Sequence, residues 1–304
     1  MIKIVDVERF IEINNLPGPV TSPQIFLGKT KTFHPQGIMS EEIFGLEGSP
    51  ERSKTFSWID LGCKVIEPAL YDILSKRIEK KLPDILSGEI TATIGLDGRL
   101  IEDPDGNIDG FLSFIENIEK IKFFPGDNVR NKLIDMLYDN MVKGTFFTTK
   151  LLIVPPRHRE IMIPDEPEES PEIGDMNAIY RKIIIQSNQI RNVSGPLYDI
   201  LSFKMQQLVK EMYEFIRVKV GKKDGIIRNL MLGRRVDFSA RGVITPNPKL
   251  RIGVIGVPLR MICGIFEPQM IYGLVNAPEA AEIPDAFHEA IKEALGRELE
   301  PELL

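Results

Sequence analysis

The chain has 304 residues, 43% of them hydrophobic and 27% charged, and a formal net charge of −6 at pH 7, an ordinary soluble composition with room for two domains' worth of core or one elongated part of a larger machine. No run reaches the ~18 apolar residues of a membrane span, and Met1-Ile-Lys-Ile-Val-Asp6 lacks a signal-peptide layout, so an intracellular protein without membrane contact is expected. Cys63, Cys263 and the scattered His34, His158 and His288 do not supply the about four closely spaced ligands of a structural zinc site.

From residue 5 to about 71, short apolar runs are interrupted by Pro17, Pro19, Pro23, Pro35 and Pro50, which predicts irregular structure laid over a core. Over 67–86, Leu70, Ile73, Leu74 and Ile78 fall at helical spacing. A strand-turn-strand pattern follows, with turns at Asp97-Gly98 and Asp105-Gly106, and residues 110–121 and 128–142 read as two helices, the second ending at Gly144. Asp103-Pro-Asp-Gly-Asn-Ile-Asp109 offers carboxylates, but Ile108 and Phe114 stand where a calcium loop needs Gly and Glu, so a solvated turn is expected.

Val154-Pro-Pro-Arg-His-Arg-Glu-Ile-Met-Ile-Pro164 leads into an acidic, proline-rich stretch, 165–175, with the composition of an exposed loop; Arg157 and Arg159 are either nucleic-acid contacts or solvated cations. Two long helices come next. Met176, Ile179, Ile183 and Ile190 mark one apolar stripe, and Leu197, Leu201, Met205, Leu208, Met212 and Phe215 mark another. With Asp175 as a cap and Gly195-Pro196 as a break, they predict an antiparallel helical hairpin.

The densest interleaving of charge, turns and apolar anchors lies just beyond. Between Arg217 and Arg251 ten basic residues meet only Asp224 and Asp237, a net +8, while the rest of the chain carries −14. So local a concentration suits one wall of a groove rather than a general nucleic-acid coat. Arg228, Arg234, Arg235 and Arg241 are separated by Leu230, Met231, Leu232, Val236 and Phe238, which are expected to pin the backbone to a core and leave the guanidinium groups projecting toward phosphates. Taken alone, such a window more often marks an amphipathic segment with a solvated basic face.

The segment Leu232-Gly-Arg-Arg-Val-Asp-Phe-Ser-Ala-Arg-Gly-Val-Ile-Thr-Pro-Asn-Pro-Lys-Leu-Arg251, followed by Gly256-Val-Pro258, resembles the switch of the largest (beta-prime) subunit of multisubunit DNA-directed RNA polymerases. Gly37-Ile-Met-Ser-Glu-Glu-Ile-Phe-Gly45 and Phe56-Ser-Trp-Ile-Asp-Leu61 resemble the phrases that bracket its zinc ribbon, which residues 46–55 are too few to contain. The 154–164 segment resembles the approach to the lid, Asp175-Met-Asn-Ala-Ile-Tyr-Arg181 and Asn188-Gln-Ile-Arg191 resemble the clamp helices, and residues 253–269 resemble the dock.

The resemblance implies an α+β chain: an elongated, irregular polymerase clamp without a zinc ribbon over 1–153, a lid-like loop over 154–174, a clamp-helix coiled coil over 175–220, a mixed switch and dock over 221–276 and an acidic helical tail over 277–304. It implies that Lys223, Arg228, Arg234, Arg235 and Arg241 grip the template strand or the RNA–DNA hybrid, although Ile226 stands where the family commonly has an arginine. A promoter-specificity factor would dock on 175–220, at exposed positions such as Arg181 and Lys182. No metal-binding Asp-Phe-Asp-Gly-Asp motif occurs in residues 1–304, so magnesium is expected at the active centre of the assembled enzyme and no cofactor on this chain. Partners would be the other polymerase subunits, including the C-terminal beta-prime part and beta parts. A divided, zinc-free subunit points to giant bacteriophages, hence to the host cytoplasm or packaging in the virion. Two other readings are a free-standing nucleic-acid-binding transcription regulator, disfavoured by the negative net charge and the lack of a recognition-helix signature, and a capsid or scaffold protein, which leaves the switch resemblance without explanation.

Overall fold

Among the described residues up to 56 the chain is mostly irregular, as the prolines predict, but the irregularity expected as far as residue 71 ends at Ser57, beyond the last of those prolines, where a ten-residue strand begins. The irregular part carries two short helices. Each is started by a side chain that accepts an otherwise unpaired amide: Asp6 from Arg9 N ahead of α1 (Val7–Ile13), and Ser40 from Ile43 N ahead of α2 (Glu41–Phe44). The computed structural model describes residues 4–28, 32–159, 161–162, 172–221, 225–233 and 237–275. The chain divides into two units, Met1–Lys222 and Lys223–Leu304.

In the first unit β1 (Ser57–Ile66) turns every second side chain inward, from Ser57 to Val65. The single helix expected over 67–86 is broken. α3 (Pro68–Ile73), capped by Glu67, passes into one π turn (Leu74–Ile78), and the chain becomes extended at Glu79 before α4 (Leu82–Leu86). Pro83 is the reason: it suits the first turn of a helix and would break the interior of a longer one.

β2 (Ala92–Ile94) and β3 (Leu100–Glu102) form the expected hairpin around Asp97-Gly98, with Gly98 at φ 85°. α5 (Phe111–Asn117) and α6 (Asn128–Val142) occupy the two predicted helical stretches, and α6 is capped by Asp127. α5 borrows its cap: Leu112 N donates to Asp199 Oδ1 at 2.7 Å, from 87 residues away. A Cβ on Gly110 would lie 2.1 Å from the same carboxylate, so any larger residue there would have to displace the Asp199 cap.

β4 (Phe147–Ile153) pairs antiparallel with β1, from Ser57↔Ile153 to Asp60↔Lys150, before the register shifts ahead of Val65↔Thr148. In that irregular stretch Gly62 takes φ 73° and lies against Ser187 and Ile190. β5 (Ile161–Met162) and β6 (Glu172–Ile173) pair as a two-residue stem; most of the acidic loop expected between them lies outside the described residues, as does the 277–304 tail.

α7 (Asp175–Ile190) and α8 (Pro196–Gly221) form the expected antiparallel hairpin, with Gly195 at φ 71° and Pro196 starting α8. Gln186 Nε2 donates to Leu201 O at 2.9 Å near the turn, and Lys182 reaches Glu211 farther out. Asp175 is the first helical residue rather than the cap, which is Gly174; from there its charge still favours the positive end of the helix. The buried set is wider than the two stripes: Tyr180, Ile184 and Val209 join Ile179, Ile183, Met205 and Met212, because the hairpin also packs on β1.

Two buried arginines hold the irregular segment down. Arg52 donates to Gly45 O and Met39 O, and Arg159 to Val154 O, Ile38 O and Asn177 Oδ1. Backbone carbonyls with no sheet or helix partner find charge-assisted donors instead. Burial pushes the Arg159 guanidinium down to about 10, helped by neighbouring Arg52 and opposed by Tyr180.

In the second unit a π turn (Ile227–Met231) precedes loops, α9 (Leu259–Ile265) and α10 (Glu267–Val275).

Candidate nucleic-acid interface

Arg228 sits in the π turn, which Asn229 N→Gly225 O and Leu232 N→Ile227 O close at 2.9 Å each. The chain leaves that turn through Gly233, where a Cβ would come within 2.6 Å of Asn229 O. Phe238 then adopts φ 55°, a left-handed conformation uncommon outside glycine and found where strain serves a site. Three residues on comes Arg241, whose neighbour Gly242 lies beside α9: a Cβ there would meet Met261 Cε at 3.3 Å. The Met261 side chain of α9 therefore lies close to the backbone beside Arg241.

Arg228 and Arg241 are exposed, and among the described residues neither makes an ion pair. Lys249 and Arg251 are exposed too. They flank a turn in which Asn247 accepts from Lys249 N and Leu250 N, and Gly253, at φ 87°, closes the next turn through Val254 N→Arg251 O. Sequence reading counted these two in the basic window without placing them in the site; their spacing beside Pro246 and Pro248 was the available signal. Across 225–275 the only acids are Asp237 and Glu267, and Asp237 has no partner among the described residues. Lys223, Arg234 and Arg235 lie outside the described residues. Exposed guanidinium groups without carboxylates keep their donors free for phosphate oxygens.

One expectation is overturned. Met231, Leu232 and Phe238 do not anchor the backbone to a core but are exposed, as are Ile244 at 98% and Ile252 at 106%; Leu230 and Val236 have no described side chains. Among the described residues of this unit, two helices of seven and nine residues with their loops enclose too little volume to bury them.

Several cations of the first unit have other work. Arg217 lies 3.8 Å from Asp72, and Lys219 Nζ lies 5.6 Å from the Phe215 ring centre. Arg159 is buried and structural, which removes it as a nucleic-acid contact, while Arg157 is exposed. Arg181 is not a free surface position, since its Nε donates to Pro23 O at 2.8 Å; Lys182 is exposed and paired with Glu211. Among the described residues no three His, Cys, Asp or Glu side chains converge as metal ligands.

The sequence model of the family described as RNA polymerase Rpb1, domain 2, matches residues 233–283, which contain Arg241 and α9. The beta-prime subunit of DNA-directed RNA polymerase from Mycoplasma genitalium is 28% identical over 185 residues, covering 53% of this chain and 13% of that subunit. The Shewanella amazonensis subunit is 27% identical over 204 residues, 54% of this chain and 14% of its own length, and the Mycoplasmopsis agalactiae subunit is 31% identical over 126 residues, 34% and 8%. The matched stretch is thus a small part of those relatives. Together these likenesses support a relationship between this chain and part of the largest, beta-prime subunit of DNA-directed RNA polymerase.

Proposed function

We propose that the chain is a clamp and switch portion of a DNA-directed RNA polymerase and forms one wall of the channel that holds the template strand or the RNA–DNA hybrid. The observation that carries this reading is Arg241: exposed, without a carboxylate partner among the described residues, next to Gly242 where the chain passes the Met261 side chain of α9, and inside the stretch that matches the polymerase family. Arg228, Lys249 and Arg251 extend the surface, with Lys223, Arg234 and Arg235 as further expected contacts. The α7–α8 hairpin would carry a promoter-specificity factor, and the exposed apolar side chains of the second unit would be covered by other polymerase subunits.

Nucleotidyl transfer needs metal-held phosphates. Residues 1–304 carry no Asp-Phe-Asp-Gly-Asp motif, so on this reading magnesium would be held by carboxylates elsewhere in the assembly, and the purified chain alone is expected to make no RNA. The zinc-free, giant-bacteriophage form is supported by the clamp spacing, because residues 46–55 hold only a short turn whose Arg52 is tied to Met39 and Gly45. A subunit inventory of the complex from its native source tests that lineage.

The wall is tested by replacing Arg241 and Arg228 with Ala in the full chain and following binding to a labelled template scaffold through a salt titration. Each lost charge-assisted contact should weaken binding roughly ten- to a hundredfold at low salt and make the log–log salt slope shallower by about one unit. The loss should not depend on template sequence, since phosphates carry no base information. Parental affinity and slope in both variants would sink the reading.

A further inference from the structure

Beside the β2–β3 hairpin in the first unit lies a surface hollow of about 250 Å³, lined by Arg99, Lys122, Arg130, Phe123, Phe124 and Glu79 among others. We propose that it is a second binding site, for a phosphate group carried on a nucleotide or a nucleic-acid strand. The proposal rests on the nucleic-acid-binding reading above but concerns different residues.

Its cations are held in place before any ligand arrives. Arg99 lies over the Phe124 ring, 4.0 Å from the centre, and Asp97 fixes it twice, with Oδ1 accepting from the backbone N–H and Oδ2 3.1 Å from Nε. Arg130 donates through Nε to Phe124 O, through Nη1 to Arg77 O and through Nη2 to Ile78 O. A guanidinium has five N–H donors, so Arg130 retains two and Arg99 four. Lys122 lays its aliphatic stem on Gly98, where a Cβ would come within 2.9 Å, and Lys122 N donates to Gly98 O at 2.8 Å. Its ammonium makes no ion pair among the described residues.

Three cations face one lining carboxylate, Glu79, with Asp97 engaged by Arg99. That balance selects an anion, and fixed guanidinium groups suit phosphate oxygens. At the hairpin tip Leu96 stands wholly in solvent. A ligand lying along the hairpin meets an apolar side chain as well as the cations, which favours a nucleotide or a strand over free phosphate.

Amine acetylation read by mass spectrometry on the full chain tests this, with Lys122 as reporter and exposed Lys132 as control. The probes are inorganic phosphate, ATP and a short single-stranded DNA oligonucleotide. At a probe concentration of about twice its Kd, Lys122 should react about threefold more slowly while Lys132 is unaffected. Protection by ATP and the oligonucleotide supports a nucleotide-sized site, and protection by the oligonucleotide alone supports a strand. Protection should be lost in Arg99→Ala, largely kept in Arg99→Lys, and reached at lower probe concentration in Glu79→Gln. Protection by phosphate alone, equal protection of Lys132, or an unchanged effect in Arg99→Ala overturns the proposal. Arg241→Ala should leave Lys122 protection intact, so failure here and failure of the switch reading are read separately.

Discussion

Arg159 Nη1 donates to Asn177 Oδ1 at 2.8 Å inside the first unit, joining the approach to the acidic loop to the first turn of α7. The same guanidinium reaches Ile38 and Val154, so three stretches of chain converge on one cation. Arg159→Ala would leave Ile38 O, Val154 O and the Asn177 amide buried without that donor. The full chain should lose about 3–5 kcal/mol of stability in urea denaturation. Arg157→Ala, two residues away and exposed, should stay within about 0.5 kcal/mol. Similar small effects for both would show that the buried cation is dispensable.

Gln206 performs the part of a neighbouring strand. Its side chain accepts from Ile66 N at 2.7 Å and donates to Ile66 O at 3.0 Å, pairing both polar groups at the end of β1 from within α8. Gln206→Leu keeps the volume but removes both partners and is expected to cost about 2–4 kcal/mol. Gln206→Glu keeps only the acceptor and should also destabilise. Thermal melts of the two variants beside the parent check this, and an unshifted Gln206→Leu melt contradicts it.

Burial pushes the Cys63 thiol up to about 11 from an ordinary value of 9.0, with Asp60 adding to the shift and a Ser202 hydrogen bond opposing it. Because the folded value is the higher, the folded state holds the proton between pH 9 and 11 while the unfolded state releases it. Stability contributed by the neutral thiol is complete below about pH 9 and is lost as pH rises toward 11, up to roughly 2–3 kcal/mol. Comparison with Cys63→Val isolates this from other titrations: the parent should lose more stability than the variant over that window. Parallel curves would refute it. At pH 8, iodoacetamide should modify the less buried Cys263 well before Cys63.

The second unit exposes Ile244, Ile252, Ile255 and Leu259. In the isolated chain, amides of 237–258 should therefore exchange with deuterium far faster than those of β1 and α7, and assembly with polymerase subunits should slow them. Protection in the isolated chain equal to that of β1 would show that the second unit is stable without partners.

Local signals carried much of the fold. Asp127 ahead of α6, Gly144 behind it, Asp97-Gly98 in the hairpin and Gly195-Pro196 between the long helices act within a few residues of chain, so they are legible in order. The concentration of cations between Arg217 and Arg251 and the resemblance running from Leu232 were legible for the same reason. What each cation does was not. Arg157 and Arg159 look alike in sequence, and only the return of Ile38 and Asn177 to Val154 makes one of them an interior donor. β1 and β4 escaped notice because their pairing spans about ninety residues and β1 carries Asp60, Gly62 and Lys64 among its apolar positions. The apolar residues beside the switch arginines illustrate the same limit: periodicity marks which side chains need cover, whereas burial depends on how much chain folds around them, and the described residues of the second unit leave Met231, Leu232 and Phe238 exposed.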